Sequence, residues 1–248
     1  MDGPVVALLA AGMLVAAFGY ASVGHGGASA YLAALALAGV APQEMRPIAL
    51  VLNVLVSSLA SYKFYRAGHF RWRLFWPFAA VSIPLAYVGG AITLPGQAYR
   101  LLVGAVLLYA AWQLWASGRA GEEMRALREP PLAWAMLIGA AMGLLAGLTG
   151  VGGGIFLSPL LLMLGWAGTK QTSAVAAPFI LVNSLAGLAA IFMAKSAPLP
   201  GYVGVLMPAV LAGGWLGAEY GARRFANPVV RRVLAVVLAL AGAKMVLA

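Results

Sequence analysis

Residues 147–159 read GLTGVGGGIFLSP and hold the densest set of groups able to do chemistry in this chain. Gly150, Gly152, Gly153 and Gly154 interrupt an apolar run that starts near Leu132 and resumes to Leu164. Glycine carries a large backbone entropy cost in a helix, so a cluster of them marks a stop. Inside lipid, a stopped helix exposes N–H groups that must face protein, water or a ligand. The helix restarting near Ile155 would point those amides and its positive dipole end into the break, an arrangement that suits an anion. Thr149 and Ser158 flank the break with hydroxyls, Thr149 being the better placed.

A second copy lies 128 residues earlier. Gly19–Ala30 reads GYASVGHGGASA and matches at Gly19/Gly147, Val23/Val151, Gly24/Gly152 and Gly26/Gly154, with Gly27 continuing the glycine run. In this register His25 replaces a glycine, and Tyr31 stands where the second copy has Pro159. Two readings of His25 stay open: an imidazole bonded to a nearby carbonyl, or a titratable group that binds an anion or carries a coupling proton. Asn53 and Asn183 fall at matching places in later apolar runs, with Ser57, Ser58 and Ser184 nearby. Each asparagine either bonds to a neighbouring helix or turns an amide donor toward an oxyanion. Arg46, Lys170, Gln171 and Thr172 stand at the start of those runs, either as interface residues with apolar stems or as a gate that draws an anion inward.

Close helix packing through small residues is the competing account of the glycines. Their adjacency, rather than a spacing of four, and their recurrence in both copies favour a binding site. No enzyme constellation accompanies them. Asp2 is the sole aspartate, there is no cysteine, and no acidic residue lies securely inside an apolar run. Carboxylate or thiolate metal sites, protease chemistry and carboxylate-based cation sites are thereby disfavoured, and no cofactor is expected.

The elements that position these residues follow from composition. Hydrophobic residues make up 63% and charged residues 9% of the 248, with a mean hydropathy of +0.95. A soluble domain carries nearer a quarter charged residues, so the chain is expected in a bilayer. Its apolar runs are continuous and helix-length, which excludes barrel strands. The net charge of +10 sits mostly at the ends of those runs, where it orients helices; nucleic acid is excluded as a partner. The N-terminal run is expected to be a mature helix because it belongs to the repeat.

Each half reads as five helices. The first holds 4–22, 29–40, 43–65, 72–93 and 97–115; the second holds 131–149, 155–165, 169–194, 201–220 and 228–247. The expected organisation is a first transmembrane repeat over 1–115, a polar cytoplasmic linker over 116–130 and a second repeat over 131–248. The repeat continues through Pro77/Pro208, Gly90/Gly221 and Arg100/Arg231. Basic residues cluster after the third segment in half one (Lys63, Arg66, Arg71, Arg73) but after the fourth in half two (Arg223, Arg224, Arg231, Arg232), against Lys195 alone in the other loop. Positive loops are cytoplasmic, so the halves are expected to be inverted. The fold expected is an all-α polytopic membrane protein of two inverted five-segment repeats, each with a broken or re-entrant helix pair, about 8–10 membrane segments in all. Tryptophans near segment ends (Trp72, Trp76, Trp115, Trp166) read as interfacial anchors.

The GxGGG-x(4)-P pattern of Gly150, Gly152, Gly153, Gly154 and Pro159, its degenerate first copy over Ser22–Gly27 and the two-fold repeat resemble the sulfite exporter TauE/SafE family of membrane transporters. The resemblance implies a multi-pass protein of the cytoplasmic membrane that moves a small sulfur-containing oxyanion or organosulfonate, such as sulfite, sulfoacetate or thiosulfate. The two glycine breaks would form its site. The partners expected are then that small anion, the lipid bilayer and a coupling proton, with a homo-oligomer compatible with the sequence.

Overall fold

A computed structural model describes residues 2–116, 128–194, 199–223 and 228–247, and among them every regular element is helical. The helices are α1 (Gly3–Ala21), α2 (Ala28–Leu37), α3 (Pro42–Arg66), α4 (Trp72–Ala91), α5 (Gly96–Ala116), α6 (Leu132–Thr149), α7 (Gly154–Met163), α8 (Thr169–Met193), α9 (Val203–Arg223) and α10 (Pro228–Leu247). Their ends fall within three residues of those expected from sequence. Residues 117–127 of the linker, Lys195, Arg224 and the side chain of Arg231 lie outside the described residues.

Seven helices (α1, α3, α4, α5, α6, α8 and α9) are long and apolar enough to cross a bilayer, and the protein is a multi-pass membrane protein. Their circumference is apolar on both sides. In α1, Leu9 and Met13 are buried while Leu8, Leu14 and Val15 are exposed, the pattern of a helix with protein on one face and lipid on the other. Trp72, Trp76 and Trp115 lie exposed, whereas Trp166 packs its ring against Phe78.

Helices of the two halves interleave. α1 packs along α9, α4 along α6, α3 against α8 and α5 against α10. Glycines at every fourth position make two of these seams. Gly213, Gly217 and Gly221 of α9 lie directly on the carbonyls of Leu14, Phe18 and Ser22, in step, so α1 and α9 run parallel. Gly139, Gly143 and Gly147 of α6 lie likewise on the carbonyls of Phe78, Ser82 and Ala86 of α4. Hydrocarbon supplies no hydrophobic drive between helices, so such backbone-on-backbone packing is a main source of cohesion. The other two seams are antiparallel. Asn53 bonds Ser184 while Leu50 meets Gly187, and Gly104 and Leu108 of α5 meet Met245 and Gly242 of α10.

Charges tie helix ends rather than helix middles. Lys63 of α3 is paired with Glu219 of α9 and sits 3.8 Å from the centre of the Trp215 ring, and Arg223 reaches Glu219 at 2.6 Å. At the opposite end of α10, the Lys244 ammonium donates to the carbonyls of Ala36 (2.9 Å) and Leu37 (3.1 Å), capping the C-terminus of α2.

The seams make a two-sided prediction. Gly143→Val places a branched side chain on the Ser82 backbone and is expected to destabilise the protein by about 1–3 kcal/mol. Gly12→Ala, on a part of α1 with open space around it, is expected to be neutral or to stabilise by about 0.5–1 kcal/mol. Thermal melts of both variants in one detergent check the opposite signs.

Candidate functional site

The first break occupies Ser22–Gly27. The hydroxyl of Ser22 turns back to the carbonyl of Gly19 (2.7 Å), and the N–H groups of Val23, Gly24 and His25 bond carbonyls of Tyr20 and Ala21. α2 then starts from Gly27, whose φ of 95° is open to glycine and strained for other residues. The second break is shorter, Gly150–Gly153. The Thr149 hydroxyl donates to Leu145 (2.7 Å) and accepts from the N–H of Val151 (3.3 Å), and α7 starts from Gly153 at φ 80°. α2 and α7 are ten residues each, about 15 Å long, half a hydrocarbon core. At both starts backbone donors stand open. Among the described residues, no hydrogen bond takes up the N–H groups of Gly26, Gly27, Ser29 and Ala30, or those of Gly152, Gly153, Gly154 and Ile155.

Both starts converge on the same two residues. A Cβ on Gly26 would collide with the carboxamide of Asn53 and touch Ile180 at 3.2 Å. A Cβ on Gly152 would lie 2.5 Å from Asn53 Nδ2, 2.8 Å from Ile180 and 2.9 Å from Ser184 Oγ. Asn53 and Ile180 stand near the middle of the two 25-residue helices α3 and α8. The fully buried Asn53 is the clasp: its Oδ1 accepts from the N–H of Ala28 (3.3 Å), and its Nδ2 donates to Ser184 (2.8 Å). One side chain thus closes a donor of the first break and ties it to a helix of the other half.

His25 makes the second clasp. Its Nδ1 lies 3.1 Å from the carbonyl of Val23, and its Nε2 lies 3.2 Å from the carbonyl of Gly154 and 3.2 Å from Ser158 Oγ. A neutral ring with its proton on Nδ1 bonds Val23 and accepts from Ser158; only the imidazolium donates to both carbonyls. Tyr20 meets the ring edge-on, with the ring centres 6.2 Å apart, and its hydroxyl accepts from Ser29 at 2.8 Å. Tyr31 is buried and donates to the carbonyl of Gly26.

The helix starts correct the repeat register. Gly27 and Gly153 both cap their helices, so the first break is two residues longer than the second. Tyr31 therefore matches Leu157 rather than Pro159, and His25 belongs to the added stretch instead of replacing a glycine. The register of α3 and α8 is corrected as well, from their own contacts. Gly150 packs on the backbone of Arg46 and Gly24 on that of Ser173, so Arg46 answers to Ser173 and Asn53 to Ile180. Asn183 is not the counterpart of Asn53. It donates to Phe179 of its own helix at 2.8 Å, and its buried Oδ1 has no hydrogen-bond partner.

The remaining candidates divide. Ser184 and Ser158 join the clasps, and Ser57 is buried, whereas Ser58 is exposed and bonds Val54. Lys170 is exposed, Gln171 receives the N–H of Gly168 at the start of α8, and Thr172 is buried with an unpartnered hydroxyl. Arg46 is buried beside the second break. Ile180 and Tyr99 escaped sequence reasoning. Tyr99 donates to the carbonyl of Thr149 (3.2 Å), and nothing in its local sequence distinguishes it from an interfacial tyrosine.

A lipid-facing helical shell around two interrupted helices that meet amide-first is the architecture of a multi-pass membrane transporter. The chain belongs to the sulfite exporter TauE/SafE family, whose model matches residues 8–245. It is 37% identical over 239 residues, 96% of each chain, to the probable membrane transporter protein y4hK of Sinorhizobium fredii (strain NBRC 101917 / NGR234). No solved structure matches it.

The unequal roles of the asparagines are testable. Asn53→Ala leaves Ala28 N–H and Ser184 Oγ without partners and is expected to lower stability by about 1–3 kcal/mol. Asn183→Ala loses one bond within its own helix and is expected to cost about 0.6 kcal/mol. Unfolding in matched bicelles or detergent measures the difference.

Proposed function

We propose that this protein carries a small sulfur-containing oxyanion or organosulfonate, of the sulfite, sulfoacetate and thiosulfate class, across the cytoplasmic membrane by alternating access. One observation carries the reading: two helix N-termini, one from each half, bring open backbone donors to Asn53 and Ile180. Eight N–H groups and two positive dipole ends offer an anion more than they offer any cation. The family's description as a sulfite exporter supports the substrate class.

The packing supports inversion of the halves. Equivalent helices α3 and α8 run antiparallel, as do α5 and α10, which is how inverted copies meet about an axis in the membrane plane. With the loop after α3 cytoplasmic, α1 enters from the outer face, passes the midplane and turns back at Gly24, while α2 returns to the outer face, where Lys244 caps it. α6 and α7 make the mirror-image excursion from the cytoplasm. Each break is then approachable from a different side, and rocking of one half against the other alternates access.

His25 is the proton-carrying group in this scheme. Gaining a proton gives its Nε2 a hydrogen for the carbonyl of Gly154, so protonation strengthens one contact between the breaks. Binding of an anion favours the charged ring, and the two are released together.

Counterflow in proteoliposomes tests the function. Trans-loaded sulfite is expected to accelerate uptake of labelled sulfite; a channel gives no such stimulation. Gly152→Leu is expected to abolish uptake while insertion survives. His25→Gln is expected to keep counterflow but to lose acceleration by an imposed pH gradient. Equal gradient responses in both proteins would remove His25 from the coupling.

A further inference from the structure

Near the second break lies a partly open cavity of about 100 Å³. Its walls include Gln43, Arg46, Thr93 and Tyr99, together with the end of α4 at Gly90 and Ala91. Among the described residues no carboxylate lines it. Arg46 is only 8% exposed, yet it carries a full charge into this wall. Its guanidinium donates to the carbonyls of Ile92 (2.9 Å), Gly89 (2.8 Å) and Gly90, the C-terminal end of α4. Those partial charges offset only part of a cation, and the Nε–H is buried without a partner. Among the described residues Arg46 has no ion pair, and a partly compensated guanidinium lining open space has the chemistry of an oxyanion site.

The cavity abuts the break through two contacts. Gly150 packs on Arg46, with a Cβ there meeting Arg46 Cγ at 3.1 Å, and Tyr99 donates to the carbonyl of Thr149. Arg46 and Asn53 are seven residues apart on α3, about 10 Å along the helix. The corresponding place in the other half is Ser173, which has no charge.

We propose that this cavity is a one-sided vestibule, in which a small oxyanion such as sulfite or thiosulfate binds Arg46 before passing Tyr99 and Gly150 to the break. Its anion binding stands on the cavity alone; its place on a route rests on the transport reading above. A cap on α4 explains the three carbonyl bonds but neither the adjoining space nor the spare donor.

The test uses the full chain in nanodiscs and proteoliposomes with thiosulfate as probe. Gln43→Glu sets a carboxylate at the cavity wall without touching the bonds of Arg46. It is expected to raise the KM for thiosulfate about tenfold or more, as loss of a charge-assisted contact does, with Vmax within about twofold. Arg46→Gln is expected to do the same where it folds. Gly152→Leu, which blocks the break, is expected to stop transport yet retain saturable thiosulfate binding that Gln43→Glu then removes. An unchanged KM in folded Gln43→Glu, or no thiosulfate binding to folded Gly152→Leu, overturns the vestibule. Undiminished transport by Gly152→Leu overturns the break as the site and leaves the binding result at Arg46 to be judged separately.

Discussion

Backbone amides released from a helix within hydrocarbon have no water to turn to, and this one constraint organises the molecule. Two helices stop mid-structure, and the chain does not repair the break by bonding every freed donor to itself. Instead it closes the junction between the halves at two side chains, Asn53 and His25, and among the described residues leaves the remaining donors at the starts of α2 and α7 open. Both clasps cross between the halves. A structure that only had to be stable would close such donors with further caps, since each open one costs free energy in a dry interior.

The same constraint explains where the small residues lie. Glycines at the breaks admit the left-handed starts of α2 and α7 and let Asn53 approach the backbone. Glycines at every fourth position in α6 and α9 do something different, letting α4 and α1 come to backbone contact. The small-residue packing account of glycine is therefore true of this protein, but of other glycines. Rigid seams on α1/α9 and α4/α6 frame a central region held by single side chains, a distribution suited to movement at the breaks without loss of the shell.

Helix count, helix ends and both breaks were legible because apolar length and glycine clustering act locally. The register of the repeat was not, because two extra residues in the first break displace the equivalence of α2 with α7 and leave no mark in hydropathy. Asn53 and Asn183 look alike as letters; only packing separates one that joins two halves from one that bonds its own Phe179. Ile180 could not be found by searching for polar chemistry, since its contribution is shape: its side chain lies against both Gly26 and Gly152. Arg46 was visible as a charge near a helix start, but its burial against the end of α4 depends on a contact between residues more than forty positions apart.

The two halves cannot be chemically equal, and the inequality has a direction. Break one has the longer turn, the histidine and an uncharged serine at the neighbouring helix; break two has the tighter turn and a buried arginine beside a cavity. In an inverted repeat, one half's outer approach is built like the other half's inner approach, so any residue present in only one copy makes the two sides of the membrane different to the solute. On the transport reading proposed above, a cation beside one break would deepen the well for an anion on that side alone. On the same reading, the imidazole beside the other break would tie occupancy to acidity, so the two departures from symmetry fall at different breaks.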